Sequence, residues 1–259
     1  MYIYLYDSKS ETGLALAKAL GLKIIKHVDS RFKGDHTKKV LNWGCSDLPL
    51  QVRRADVFNK EHCVDWAVNK IKAFSRMQEF GVRTVPWTTN IDEARVWMAD
   101  GHRVFGRTKV KGKDGEGLIE CRTPNDLNGV KLWTKFIPAI KEYRVNVVRT
   151  YDEGFKEWEH EYACQRKVPL DGFNGQLNPD IKTSGNGYGF KFVTRNIPDD
   201  VIWQAQAAIY AIGLDFGGVD VLWDGTRAWV LEVNTAPQLT PRVIETLKPA
   251  FKHMLGMEE

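Results

Sequence analysis

The chain has 259 residues and a mass of 29.6 kDa, with 43% hydrophobic and 27% charged residues, a formal net charge of +4 and a pI near 8.7. These are the proportions of a globular protein with one or two domains and a sizeable core, and no stretch approaches the ~20 apolar residues of a membrane span. The mild basicity suits a phosphate ligand or an acidic substrate without demanding nucleic acid, and a generally charged surface accounts for it equally well.

Residues 2–6 alternate as a first strand. Ser8-Lys9-Ser10-Glu11 reads as a capping box opening a helix that Gly21 ends. The start Met1-Tyr2-Ile3-Tyr4-Leu5 shows no basic region followed by a long apolar run, so no signal peptide is expected. Leu22 to Lys26 and Val40 to Trp43 supply two more strands, giving a β-α-β-like beginning. The five basic residues between Arg31 and Lys39 belong to a solvated loop. The four cysteines (Cys45, Cys63, Cys121, Cys164) are widely spread, with no C-x-x-C pair or nearby His cluster. Neither a zinc site nor a disulfide framework is expected, and reduced thiols in the cytoplasm are the default.

Val64, Ala67, Val68, Ile71, Phe74, Met77 and Phe80 recur at helical spacing, predicting one helix from Glu61 to Phe80 closed by Gly81. Asn90-x-x-Glu93 starts a further helix that Gly101 ends, and His102 to Val110 is strand-like. Then come three glycines, Gly112, Gly115 and Gly117, flanked by Lys111 and Lys113. Such a loop can bring backbone N–H groups to phosphate oxygens, although no G-K-[ST] follows to make it a P-loop. Glu142 to Val148 alternates as a strand. Residues 171–189 are rich in Gly and Asn and predict a long loop. Helices follow at Val201–Ile212 and Pro241–Leu255.

Between those helices lies the most informative segment. Gly217-Gly218-Val219-Asp220-Val221-Leu222-Trp223 and Val230-Leu231-Glu232-Val233-Asn234 flank Asp224-Gly225-Thr226, which reads as a hairpin turn. Glu232 and Asn234 are two apart and share a strand face, roughly 7 Å apart. Asp220 joins them if the turn has an odd number of residues. A three-residue loop pairing Trp223 with Arg227 sets Asp220 opposite Val230, with Gly225 in the left-handed region. Two carboxylates and an amide oxygen on a rigid platform suit Mg²⁺, which takes its other ligands from phosphates and water. An ordinary half-exposed hairpin shows the same pattern, but Asn234-Thr235-Ala236-Pro237 adds a rigid exit that ends the pairing.

This G-x-D-V…E-V-N-x-x-P arrangement resembles the metal-binding end of the ATP-grasp ligases, and the resemblance runs from about Lys70 to Pro237. It implies an α/β (α+β) ATP-grasp fold in three parts. Residues 1–87 form a pre-ATP-grasp α/β domain, 88–134 a small subdomain carrying the glycine loop, and 135–259 a C-terminal subdomain carrying the metal site. Arginine at position 107, where the family usually has Lys, is similar to the carboxylate–amine ligase-like branch, some of whose members come from bacteriophages.

The resemblance further implies that Lys70, Arg107, Gly112, Lys113, Gly115 and Gly117 hold phosphates, and that Phe136, Ile137 and Glu142 hold the adenosine. Asp220, Glu232 and Asn234 bind metal, and Arg144, Arg166, Lys167 and Lys182 stabilise the transition state or anchor a carboxylate. Read from the residues alone, Lys70 also reads as an exposed helix lysine, and Glu142 equally as a salt-bridged strand residue. Two positions depart from the pattern: Gly218 stands where some members have Arg, and Gln238 where Gly is usual.

The implied activity is ATP-dependent formation of an amide from a carboxylate donor and an amine acceptor, through an acylphosphate, with ADP and phosphate released. The implied cofactors are ATP and two Mg²⁺ ions, Mn²⁺ being the alternative metal. The donor and acceptor could be an amino acid, a peptide or a protein terminus; no nucleic-acid or membrane partner is expected, and the oligomeric state stays open. The alternatives are an ATP-grasp kinase acting on a small molecule and a nucleotide-binding module without turnover. A nucleic-acid binder built on Arg31–Lys39 comes last, since no recognition motif accompanies that run.

Overall fold

Sheet formation follows chain order in the computed structural model, which describes residues 1–112, 115–152, 157–172, 177 and 186–257. The first sheet is parallel, in the order β2-β1-β3-β4, from β1 (Tyr2–Leu5), β2 (Lys23–Ile24), β3 (Lys39–Trp43) and β4 (Asp56–Phe58). Helix α1 (Glu11–Leu20) connects β1 to β2 and buries Leu16, Ala17 and Leu20. It is capped by Ser10, whose hydroxyl accepts from the Gly13 N–H at 3.3 Å, so the box expected from Ser8 gives way to a cap two residues later. A short helix α2 (Leu50–Arg53) precedes β4.

The single helix expected from Glu61 to Phe80 is two, α3 (Glu61–Val68) and α4 (Lys70–Glu79). Asn69 leaves helical geometry at φ −92° and ψ 106°, and its side-chain oxygen accepts from the N–H groups of Ile71 and Lys72. An asparagine that caps a fresh helix satisfies donors that the break would orphan. The apolar spacing continues across the break, which is why periodicity alone conceals it.

The second sheet is antiparallel, in the order β5-β8-β6-β7, from β5 (Trp87–Thr88), β6 (Val104–Arg107), β7 (Leu118–Cys121) and β8 (Leu132–Lys135). Helix α5 (Ile91–Ala99) covers it, and Ala94, Trp97, Val104, Leu127 and Trp133 form a core confined to this part of the chain. Asn90 caps α5 through the Asp92 N–H.

The third sheet is antiparallel, in the order β11-β10-β9-β12-β13, from β9 (Lys141–Asp152), β10 (Glu157–Pro169), β11 (Tyr188–Val193), β12 (Phe216–Trp223) and β13 (Ala228–Asn234). Odd positions of β9 and β12 (Tyr143, Val145, Val147, Val219, Val221) pack with α3, α4 and α6 (Asp199–Ile212). Even positions Val148 and Phe216 pack with α1, the first sheet and α7 (Pro241–Leu255). The first 87 residues therefore share both large cores with the C-terminal half. Strand β13 would be a bare edge, but the segment 83–85 covers it: Val230 N–H donates to the Arg83 carbonyl and Val85 N–H to that of Val230. On the other side of Asn146 the even positions of β9, Glu142 and Arg144, line the cleft instead.

Candidate active site

The floor of the cleft is the β12–β13 hairpin. Asp220 lies directly opposite Glu232, and Gly218 opposite Asn234, so both carboxylates and the amide share one face. The expected three-residue turn is not the reason. Trp223 pairs with Ala228 around a four-residue loop, which alone would send Asp220 to the other face. A bulge between Asp220 and Val221, at the level of Leu231, shifts the register back by one. Gly225 has the positive φ expected, +104°.

Each carboxylate meets a cation. Arg144, on the neighbouring strand β9, donates from Nε to Asp220 Oδ1 at 2.6 Å and from its terminal nitrogen to Oδ2 at 2.7 Å. Lys70 donates to Glu232 Oε2 at 2.7 Å, and Lys167 to Glu142 Oε1 at 2.6 Å. Lys70 is 7% exposed and not a surface lysine; the break at Asn69 sets it in the first turn of α4, where its own N–H donates to the Val110 carbonyl. Glu142 is both a cleft residue and a salt-bridged one. Asn234 donates its amide N–H to Glu232 Oε1 at 3.3 Å.

Arg166 is one predicted residue the structure does not bring here. It sits between Gln165 and Lys167 on β10, so alternation turns it to the opposite face, where it is exposed. Lys113 and Lys182 lie outside the described residues.

The roof comes from the second sheet. Arg107 ends β6, and Gly112 and Gly115 line the cleft. Gly117 does not line it; at φ +73° it makes a tight turn whose carbonyl accepts from the Thr108 N–H at 2.9 Å, and a Cβ there would lie 2.7 Å from the Thr108 hydroxyl oxygen. Lys111 Nζ pairs with Asp65 of α3 at 2.8 Å and fastens the foot of the loop. Phe136 and Ile137 line the side wall, next to Phe105. The Phe136 N–H already donates to the Arg103 carbonyl at 2.9 Å, so what Phe136 brings to the cleft is its apolar ring. The cleft offers about 1080 Å³, ample for a nucleotide with a second substrate.

Charge balance in the cleft is decided by these pairs. Burial alone would push the Glu232 carboxyl up, but Lys70 first, then Arg107 and Arg144, hold it well below the usual carboxylate range. For Arg144 burial opposes the charge and Asp220 more than offsets it, so its pKa is raised. Burial pulls the Arg107 pKa down, with Glu232 opposing. Among the described residues no three His, Cys, Asp or Glu side chains cluster, so a divalent cation here would rely on Asp220, Glu232, Asn234 and ligand oxygens. Two facing carboxylates beside an amide fit Mg²⁺, whose partial protein shell leaves sites for phosphate and water.

The stretch Asn186-Gly187-Tyr188-Gly189-Phe190 resembles an N-G-aromatic run before the metal hairpin in the carboxylate–amine ligase-like branch, but sequence gives the Phe190 ring no role. Its signal is the alternation Tyr188, Phe190, Phe192, which sets aromatic rings at every second position of β11. The Arg144 guanidinium lies 4.2 Å and the Lys167 ammonium 4.9 Å from the centre of the Phe190 ring. At Gly218 there is no room for a side chain: a Cβ would lie 2.7 Å from Pro237 Cβ and 3.0 Å from Asn146 Oδ1. Gln238 lines the cleft.

No family model matches the chain, and a search of curated proteins finds no match. Solved structures do match. An N5-carboxyaminoimidazole synthetase from Staphylococcus aureus in complex with ADP covers 100% of this chain and 78% of its own, at TM-score 0.69 and 12% identity. D-alanyl-alanine synthetase A from Vibrio cholerae O1 covers 98% and 92%, at 0.66 and 12%. The ATP-grasp ligase PsnB, complexed with a phosphomimetic variant of its minimal precursor, Mg and ADP, covers 99% and 98%, at 0.65 and 10%. The likeness extends over nearly the whole chain and includes the three sheets whose meeting forms the cleft: this chain has the ATP-grasp fold, the α/β fold of those ligases.

Proposed function

We propose that the protein is an ATP-dependent carboxylate–amine ligase that forms an amide through an acylphosphate and releases ADP and phosphate. The observation that carries this reading is the pairing of Asp220 with Glu232 across the bulged hairpin, at the floor of a cleft ringed by Lys70, Arg107, Arg144 and Lys167. Carboxylates for metal and fixed cations for phosphate are what phosphoryl transfer asks of a protein, because its chemistry rests on positioning and charge.

ATP would lie between the second and third sheets, its base against Phe136 and Ile137 and its phosphates under the loop at Gly112 and Gly115. Asp220, Glu232 and Asn234 would hold Mg²⁺. When bound, the metal supplies Lewis acidity and a template for the phosphates. Lys70 and Arg107 would take the phosphate oxygens. Arg144 reaches Asp220 from the neighbouring strand and supplies the cation for which Gly218 has no space. Together with Lys167 it would neutralise charge building on the transferred phosphoryl group and orient the attacking carboxylate. The loop would keep water from the activated carboxylate until an amine captures it. The ADP and Mg named in the structures of the neighbours support this reading.

Incubation with ATP, Mg²⁺, hydroxylamine and pooled amino acids and short peptides tests it. Hydroxamate forming in step with ADP is the expected result. Glu232→Ala should lower both products by about 100-fold or more while unfolding stays cooperative. ADP without hydroxamate, or a Glu232→Ala variant that turns over like the parent, would overturn it.

A further inference from the structure

Phe190 faces two of the cations just assigned, and nothing in their carboxylate pairing requires an aromatic ring there. Arg144 is held twice: Asp220 takes one edge of its guanidinium, through Nε and a terminal nitrogen, and the ring of Phe190 lies 4.2 Å from its central carbon. Lys167 stands directly opposite Phe190 in the β10–β11 register, bonded to Glu142 and 4.9 Å from the same ring. One half-buried phenylalanine on an edge strand is thus shared by two ion pairs of the cleft.

The consequence lies in what happens when the carboxylates are needed elsewhere. If Asp220 turns to a metal ion and Glu142 to a ribose, Arg144 and Lys167 lose the partners that hold them. A long cationic side chain without a partner samples many rotamers, and ordering it again costs entropy at the moment of binding. The face of an aromatic ring attracts a cation without competing for the metal and without donating a proton to a phosphate. We propose that Phe190 is a positioning residue. Its ring is a common seat that keeps Arg144 and Lys167 aimed into the cleft after their carboxylates have been released to the metal and the nucleotide. The proposal rests on the ligase reading, since it supposes that a phosphoryl group meets these two cations.

Calorimetric titration with Mg·ADP and with a non-hydrolysable Mg·ATP analogue separates this role from simple packing. Only the analogue carries the terminal phosphoryl group that Arg144 and Lys167 would meet. Phe190→Leu keeps an apolar side chain but removes the π face. It should weaken the analogue by about tenfold and leave Mg·ADP within about twofold. Phe190→Tyr keeps the face and should bind both like the parent, and thermal unfolding of all three proteins should coincide. Equal losses for both nucleotides in Phe190→Leu, no loss for either, or a Phe190→Tyr variant as weak as Phe190→Leu would each overturn the seat while leaving the ligase reading standing. A parent protein that binds neither nucleotide would overturn the ligase reading and this inference together.

Discussion

At Arg107 the forces oppose one another: burial works against the guanidinium charge while Glu232 favours it, and the net direction is a lowered pKa. A cation held at such a cost gains from an incoming anion, so Arg107→Ala should weaken ATP binding by about tenfold or more without lowering the unfolding temperature; isothermal titration and a thermal melt check the two halves. A second half-buried charge sits where the first and third sheets meet. Burial pushes the Asp215 carboxyl up, although the Asn59 N–H donates to it at 2.6 Å. The folded protein therefore keeps that proton to higher pH than the unfolded chain, which loses it near pH ~4. The sign follows: this residue's contribution to stability is greatest below the unfolded pKa and declines as pH rises through the folded one. Asp215→Asn retains an acceptor for Asn59 and should remove the decline, so the variant gains on the parent as pH rises across the acidic range in urea unfolding. Residue-level reasoning read Glu232, Asn234 and Asp220 as one set because their type and spacing are local. It could not separate Arg166 from Lys167, since the face that alternation assigns depends on strand pairing across the sheet. Nor could it see Lys70 on Glu232, 162 positions away.

Elements carry the site through two irregularities, the helix break at Asn69 and the hairpin bulge at Asp220. Asn69→Ala removes the cap that starts α4, at a cost of about 1 kcal/mol. Because Lys70 follows the cap directly, the same change should lower ATP affinity as well as stability; Lys72→Ala, two residues along and paired with Asp65 at the surface, should do neither to a comparable degree. Comparing the two variants by melting and by titration isolates the placement of Lys70. The break was hidden in sequence because Val64, Val68, Ile71 and Phe74 keep their spacing through it, and a single extended residue hardly alters a helical repeat. At the hairpin, a loop one residue longer than expected and a bulge cancel each other. Asp220 reaches the foreseen face by an unforeseen route, since loop length is weakly encoded and a bulge depends on what both strands pack against.

For the whole molecule, the distribution of core residues decides what unfolds with what. Phe216 and Phe251 of the C-terminal half pack together, and Trp43 of β3 stacks on Phe216. The first 87 residues keep only a small core to themselves, Tyr4, Ile25, Val40, Leu48 and Val52, and share the two large ones with the C-terminal half. Phe216→Ala should cost about 3–5 kcal/mol and shift a single transition seen equally by probes in both halves, as differential scanning calorimetry would register. An early, separate melting of the first sheet would contradict it. Residues 88–134 differ, having a core to themselves. The chain enters this unit at Trp87 and leaves it at Lys135, on strands that lie side by side: Trp87 pairs with Thr134, and Lys135 N–H donates to the Pro86 carbonyl. Two crossings so close together act as an axle, and swinging about it is the one rigid motion that stretches neither. On the far side of the cleft, the Lys70 N–H on Val110 and Lys111 on Asp65 act as a catch. Both contacts of the catch join the roof to α3 and α4, and the backbone bond belongs to Lys70, the residue whose side chain also grips Glu232 on the floor. One residue thus ties the roof to the floor, its backbone holding the loop strand and its side chain holding the hairpin carboxylate.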